Sequence, residues 1–310
     1  MSPPSIQQAP IQGLDMPNWG QVLKEIAGTG QPLDVVRRRY LADLAKKRDR
    51  NVIAYYSGWL QKPGSYQTSI NDDDKNGFMA VIHGLDRKKG LDLILHTPGG
   101  DMAATESLID YLHKMFDADI VAIIPQIAMS AGTMIACSCR EIVMGKQSNI
   151  GPIDPQFRGV SAYGVIKEFE DAIKEIQSNP DALVVWQMII GQYRPTFLGE
   201  CRKAIDLATE IVRKRLETVM FAGDGDAIGK VRRIVEFLNE HENTKIHARH
   251  IDIDQAVLCG LKIKRLEEDN ELQDAVLTVH HCYMHTFAGS PASKITENHL
   301  GNAVVTFARS

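Results

Sequence analysis

The residues with the clearest chemical potential are Ser130 and the pair Gly99–Gly100. Ser130 stands in AMSAGTM, after an apolar run at 120–124 that closes at Pro125. A hydroxyl on such a strand-to-helix turn is exposed, and small neighbours leave room for a substrate. The glycine pair stands in HTPGGD, where an apolar run at 91–96 meets a tight turn. The first N–H groups of a helix lack intrahelical acceptors and carry partial positive charge. The amides of Gly99, Gly100 and Ala131 therefore suit a developing oxyanion, where one donor is worth roughly 3–4 kcal/mol of barrier. The chemistry would be acyl transfer with a serine nucleophile. The plainer account of the same residues is two ordinary turns of a parallel α/β sheet.

Positioning those turns requires strands alternating with helices. Residues 91–96 and 120–124 read as buried strands, the second ended by a proline that cannot donate to a ladder. Between them Leu108, Ile109, Leu112 and Met115 recur at helical spacing. A helix is expected over 131–139. Upstream, 19–27 and 33–47 read as helices and 51–56 as a strand. The acidic run SINDDDKNG at 69–77 reads as a solvated loop capping a helix that ends near Leu85, since it lacks the spacing of a calcium loop. Downstream, 141–145 is a further strand and SNIGPIDPQF an extended, turn-rich segment. Helical patterns follow over 163–177, 180–190, 196–221 and 231–238, with GDGDAIGK as a turn that lacks phosphate-loop spacing. Asp252 or Asp254 is placed to cap a short helix ending at Gly260. A last helix is expected over 272–287 and an added strand over 304–307.

The chain has 310 residues and a formal net charge of −4, which leaves no basic footprint for nucleic acid. Its five cysteines, an odd number, favour a reduced, cytoplasmic protein over a disulfide scaffold. Residues 1–16 are rich in Pro, Gln and Ser and read as a flexible arm without the apolar core of a signal sequence. The apolar run 120–139 approaches the length of a membrane span, but Pro125, Gln126, Ser130, Gly132 and Thr133 interrupt it. Strand–turn–helix explains it better, so no membrane span is expected. His281 and His285 stand four residues apart without the glutamate of a metalloprotease pattern, and Cys137 and Cys139 match no zinc motif. No metal and no cofactor is expected.

HTPGGD, AMSAGTMIA, EIVMGKQSNIGPIDPQ and KIHARHIDIDQAVLCGLKI occur in this order. Together they resemble the Clp protease/crotonase superfamily, and most of all the serine dehydrogenase proteinase family, related to signal peptide peptidase A. The resemblance covers roughly residues 50–263. It implies an α/β fold of Clp protease/crotonase-like stacked βαβ units with a mainly helical C-terminal part. It also implies a soluble serine peptidase with Ser130 as nucleophile and Gly99, Gly100 and Ala131 as the oxyanion hole. In Clp proteases the segment matching 148–157 carries the catalytic histidine, but here no histidine lies between His113 and His241. The resembling family orders its triad Ser, Asp, His. Asp154 then fits the orienting acid, although an aspartate in IDP also suits a simple turn bond. His247 falls on the family histidine, with His250 as its nearby competitor. A signal-peptide-peptidase-like variant would use a lysine base, for which Lys146, Lys167 and Lys203 are available.

The expected organisation is an arm over 1–16, a peptidase domain over 17–263, and a C-terminal helix and arm over 264–310. The expected substrate is a peptide or unfolded protein. A homo-oligomer is expected, with contact surfaces on the helices after residue 161 and on the tail. Two other functions share the fold: a crotonase-like acyl-thioester enzyme, which needs no serine nucleophile, and a catalytically silent interaction protein.

Overall fold

Strands whose residues are apolar on both faces must be covered from both sides, and that requirement organises this chain. The structure is a computed structural model and describes residues 19–28, 33–157, 159–239 and 249–308. Helices α1 (Trp19–Gly28) and α2 (Asp34–Arg48) precede strand β1 (Asn51–Ser57). Next come α3 (Asp73–Ile82), β2 (Leu91–His96), α4 (Met102–Phe116), β3 (Ile120–Ile124) and β4 (Ile127–Ala128). Helix α5 (Ala131–Cys137), β5 (Glu141–Met144) and β6 (Asn149–Ile150) follow. The pair β7 (Gln156–Phe157) and β8 (Val160–Ser161) leads into α6 (Ala162–Ser178), α7 (Leu183–Ile190), α8 (Phe197–Arg215) and α9 (Ala227–Asn239). The chain closes with β9 (Ile251–Asp252), α10 (Ile253–Cys259), β10 (Ile263–Arg265), α11 (Asn270–Gly289), β11 (Ala292–Asn298) and β12 (Ala303–Phe307).

The main sheet runs β10-β5-β3-β2-β1-β11-β12. The five strands from β10 to β1 are parallel, while β11 and β12 add antiparallel pairs at one edge. A smaller sheet, β4-β6-β9, lies beyond the ends of β2 and β3. Alternation splits the main sheet's side chains between two cores. Ile53, Leu93, Ala122 and Ile142 face α3, α4, α5, α8 and α9. Val52, Ala54, Ile94, Val121 and Val143 face α1, α2 and α11. A third, small cluster of Ala162, Val165 and Cys201 joins α6 to α8. Among the described residues no helix is long and apolar enough to cross a membrane.

Three expectations need correction. The helix after Ser130 stops at Cys137, because the Ser138 hydroxyl donates back to Met134 O at 2.7 Å and closes the last turn. The acidic run is not wholly solvated. Asp74 is buried and paired with Lys294, and Asn71 Oδ1 accepts from Asp73 N–H at the start of α3. The third correction concerns the C-terminal stretch, which holds two strands rather than one. Strand β11 inserts between β1 and β12, so the tail completes the sheet of its own molecule. Its polar residues concealed it, although all seven of its positions are buried.

Glu297 of β11 shows how this edge is secured. Its carboxylate is fully buried and accepts from Arg37 Nε at 2.6 Å, Arg38 Nε at 2.9 Å and the Tyr283 hydroxyl at 2.9 Å. Removing one partner of a buried pair leaves an uncompensated charge. Glu297→Ala is therefore expected to lose about 3–5 kcal/mol in urea unfolding, whereas Arg38→Ala, on a half-exposed partner, should lose under about 1 kcal/mol.

Candidate active site

The strand ends β2 and β3 carry the two turns of interest, and backbone bonds lock them together. Thr97 N–H donates to Ile127 O at 3.1 Å, and Met129 N–H donates to Thr97 O at 3.0 Å. Ser130 occupies φ 52, ψ −115. Those angles belong to the first central position of a type II′ turn, where glycine is the usual residue. The turn is closed by Gly132 N–H donating to Met129 O at 2.8 Å. A non-glycine residue held there costs on the order of 1–3 kcal/mol and must be over-determined by its surroundings. Gly132 supplies part of that constraint, since a Cβ there would meet Thr97 Cγ2 at 2.6 Å.

The glycine pair is shaped by the same crowding. Gly99 has φ +96, and a Cβ there would lie 2.8 Å from Met129 O and from Ser130 Cβ. Its own N–H donates to Thr97 Oγ1 at 3.2 Å. Its carbonyl accepts from Ile70 N–H at 2.8 Å. A trans peptide sets C=O and N–H in opposite directions, so Gly100 N–H faces away from Ile70. Neither Gly100 N–H nor Ala131 N–H has a hydrogen-bond acceptor among the described residues. Both residues border one cleft of about 480 Å³ together with Gly99 and Ser130. Met102, Met134, Ile153, Phe157 and Ala204 make its other walls largely apolar, and among the described residues Asp101 is its one charged border residue.

Asp154 is 2% exposed and lies between Ile153 and Pro155, both of which border the cleft. The segment is stapled to the serine helix, since Gly151 N–H donates to Thr133 Oγ1 at 3.0 Å while that hydroxyl donates to Ala128 O at 3.0 Å. Ile153 N–H donates to Leu238 O at 3.1 Å at the end of α9. Burial raises the Tyr163 phenol, and the nearby Asp154 charge adds to that shift. Asp154 thus lies behind the cleft wall, toward α6.

The structure gathers Ser130, Ala131, Gly99 and Gly100 at one place. His247 lies outside the described residues, as does His241. His250 is exposed and immediately precedes β9. None of the eight described histidines borders the cleft. His96 is enclosed on the opposite side of β2, with its imidazole pushed down to about 4 by burial. His281 and His285 pack against Trp19, and the described residues contain no group of three metal-ligating side chains. Lys146, Lys167 and Lys203 are exposed or paired away from the cleft, Lys167 with Asp171 at 3.0 Å. The five cysteines are buried thiols, and burial raises those of Cys137, Cys139, Cys259 and Cys282, which keeps them protonated and unreactive. Thr97, Thr133 and Ile70 shape the site; all three lie in stretches quoted above from the sequence, but none carried a site role there.

The sequence profile of a family described as ClpP-like SDH-type serine proteinase matches residues 28–194. Two uncharacterized proteins of Methanocaldococcus jannaschii are also similar. One is 32% identical over 143 residues, which is 44% of this chain and 49% of that protein. The other is 35% identical over 100 residues, which is 32% of this chain and 34% of that protein. The chain thus spans about half of one curated relative and a third of the other.

Substituting Gly99 tests the crowding directly. Gly99→Ala puts a side chain at positive φ against the serine turn. It should lower stability by about 1–3 kcal/mol and displace Ser130, which is read by slower labelling with a serine-directed fluorophosphonate at full folded fraction. Unchanged labelling in a folded Gly99→Ala protein contradicts this geometry.

Proposed function

The chain belongs to the ClpP-like SDH-type serine proteinase family, and on that premise we propose that it hydrolyses peptide bonds with Ser130 as nucleophile. The observation that carries this reading is a serine in a strained turn beside two N–H groups that have no acceptor among the described residues, at one cleft. The Ser130 hydroxyl attacks the scissile carbonyl and gives its proton to a base. The carbonyl oxygen, now an oxyanion, accepts from Gly100 N–H and Ala131 N–H. Gly99 contributes conformation rather than a donor, since Thr97 Oγ1 takes its N–H. Collapse of the intermediate expels the amine, which takes the proton back, and water then hydrolyses the ester at Ser130. A crotonase-like acyl-thioester enzyme has no use for a strained serine at this point, which favours the peptidase.

His247 is the proposed base and Asp154 the acid that orients it. Two anchors support the pairing. Leu238, near the start of the intervening segment, bonds Ile153, and Ile251, just after it, pairs with Ile150. Asp154 is four residues after Ile150, and His247 is four residues before Ile251. Four extended residues span roughly 14 Å, so the chain is long enough to bring the two together. Peptide or unfolded protein is the proposed substrate, with an apolar residue preceding the scissile bond to suit the Met102, Met134 and Phe157 walls. Five buried, unpaired cysteines suit a reducing compartment, and we place the protein in the cytoplasm.

Ser130→Ala should abolish labelling and hydrolysis, with a loss on the order of a millionfold in turnover. His247→Ala should lose nearly as much and Asp154→Asn somewhat less, because the acid orients the imidazole without taking its proton. His250→Ala should be mild. The rate should rise with pH through the ordinary histidine range rather than the lysine range. Full activity in His247→Ala, or a rise confined to the lysine range, assigns the base elsewhere.

The same reading makes the protein a homo-oligomer. Helix α7 has no buried residue, and it exposes Val184 at 66% and Met188 at 72%. An apolar helix left in water favours association, and closed symmetry is its usual form. Light scattering should report a multiple of the 34.5 kDa chain, and Val184→Glu with Met188→Glu should shift it toward monomer. A monomer across micromolar concentrations refutes the assembly.

A further inference from the structure

We propose that the buried ion pair of Lys294 and Asp74 positions the oxyanion donor Gly100, acting through residues 69–71. This rests on the reading of Ser130 as nucleophile. Asp74 comes from α3 and Lys294 from β11, with side chains 5% and 4% exposed. Lys294 Nζ lies 2.7 Å from Asp74 Oδ1 and donates to Oδ2 at 2.8 Å. The Tyr55 hydroxyl of β1 donates to the same Oδ2 at 2.9 Å. A buried pair contributes little net stability compared with an apolar replacement, so its geometry calls for another account.

The pair's remaining bonds supply one. Lys294 Nζ also donates to Ser69 O at 2.8 Å, and Asp74 Oδ2 accepts from Asn71 N–H at 2.9 Å. Ile70 is held between these two anchors. Its N–H donates to Gly99 O at 2.8 Å and its carbonyl accepts from Asp101 N–H at 2.8 Å. The peptide joining Gly99 to Gly100 is a rigid plane, so fixing Gly99 O fixes the aim of Gly100 N–H. There is no slack, because a Cβ on Gly100 would lie 2.3 Å from both Ile70 N and Ile70 O. Ser57 Oγ–H extends the clamp by donating to Thr68 O at 2.7 Å. Lys294 and Asp74 touch no substrate in this arrangement; they are positioning residues.

The test uses the full chain with Tyr55→Phe, Asp74→Asn, Lys294→Met and Lys294→Arg. Tyr55→Phe removes one oxygen at constant shape, so the series stays readable where Asp74→Asn or Lys294→Met does not fold. Two quantities are read: hydrogen exchange at the Ile70 and Asp101 amides, and kcat and KM for a fluorogenic peptide per labelled Ser130. A donor misaimed but not removed should lower kcat on the order of tenfold in Lys294→Met and Asp74→Asn, and about threefold in Tyr55→Phe, with KM within about twofold. Lys294→Arg should restore most of kcat, because the adjoining cleft of about 430 Å³, which Lys294 borders, accepts the larger head group. Exchange at both amides should quicken in step with the kcat loss. Unchanged exchange, or kcat preserved while only the melting temperature falls, overturns the proposal. If the unaltered chain neither labels nor turns over peptide, the peptidase reading fails, and the exchange measurement alone decides whether the pair governs the turn.

Discussion

The site depends on the two-way backbone bonding of Thr97 with the segment before Ser130. Donation to Ile127 O and acceptance from Met129 N–H put the ends of β2 and β3 in register beyond the main sheet. Without that contact the glycine turn and the serine turn would be independent loops at the end of a parallel sheet. With it, Gly99 lies so close to Ser130 that only a residue without a side chain fits. Parallel strands end at the same edge of the sheet, and α/β folds gather their functional residues there. The smaller sheet extends the register, since β6 pairs with β4 on one side and β9 on the other.

Strain at Ser130 is tolerable because rigid neighbours surround it. Helix α5 is buried along its whole length, so its first residue cannot relax outward. Thr133 ties that helix both to Ala128 and to Gly151, which fixes the serine turn against the segment carrying Asp154. The cost of the unusual φ is small beside the burial of seven consecutive helical residues. A hydroxyl so presented lacks any acceptor of its own among the described residues and is partly exposed at the cleft.

Much of this was legible in the sequence because it is local. Apolar runs marked β1, β2 and β3, helical spacing marked α4 and α6, and Gly99–Gly100 and Ser130 marked the turns. What stayed hidden depends on partners far apart in the chain. Asp74 reads as one acid in a polar run, yet its partner Lys294 is 220 residues away. Strand β11, with Lys294, Glu297 and Asn298, lacks an apolar pattern because its buried polar groups are satisfied by α2, α3 and α11 rather than by water. Ile70 carries no chemistry that a motif would flag; its importance is a backbone contact. Asp154 was visible only by resemblance, since IDP by itself suggests a turn.

The family match and the cleft do not cover the same residues. Residues 28–194 include β2, the glycine turn, the serine turn and Asp154. Ala204 on α8, which borders the cleft, lies beyond it, as do Leu238 and Ile251, which flank the segment holding His247. The matched residues thus hold the proposed nucleophile and oxyanion donors, while one wall of the cleft and the proposed base lie after α7. The clamp on Gly100 is split in the same way, with Asp74 inside the matched residues and Lys294 outside them. Strand β11 folds back beside β1 and brings Lys294 against Asp74.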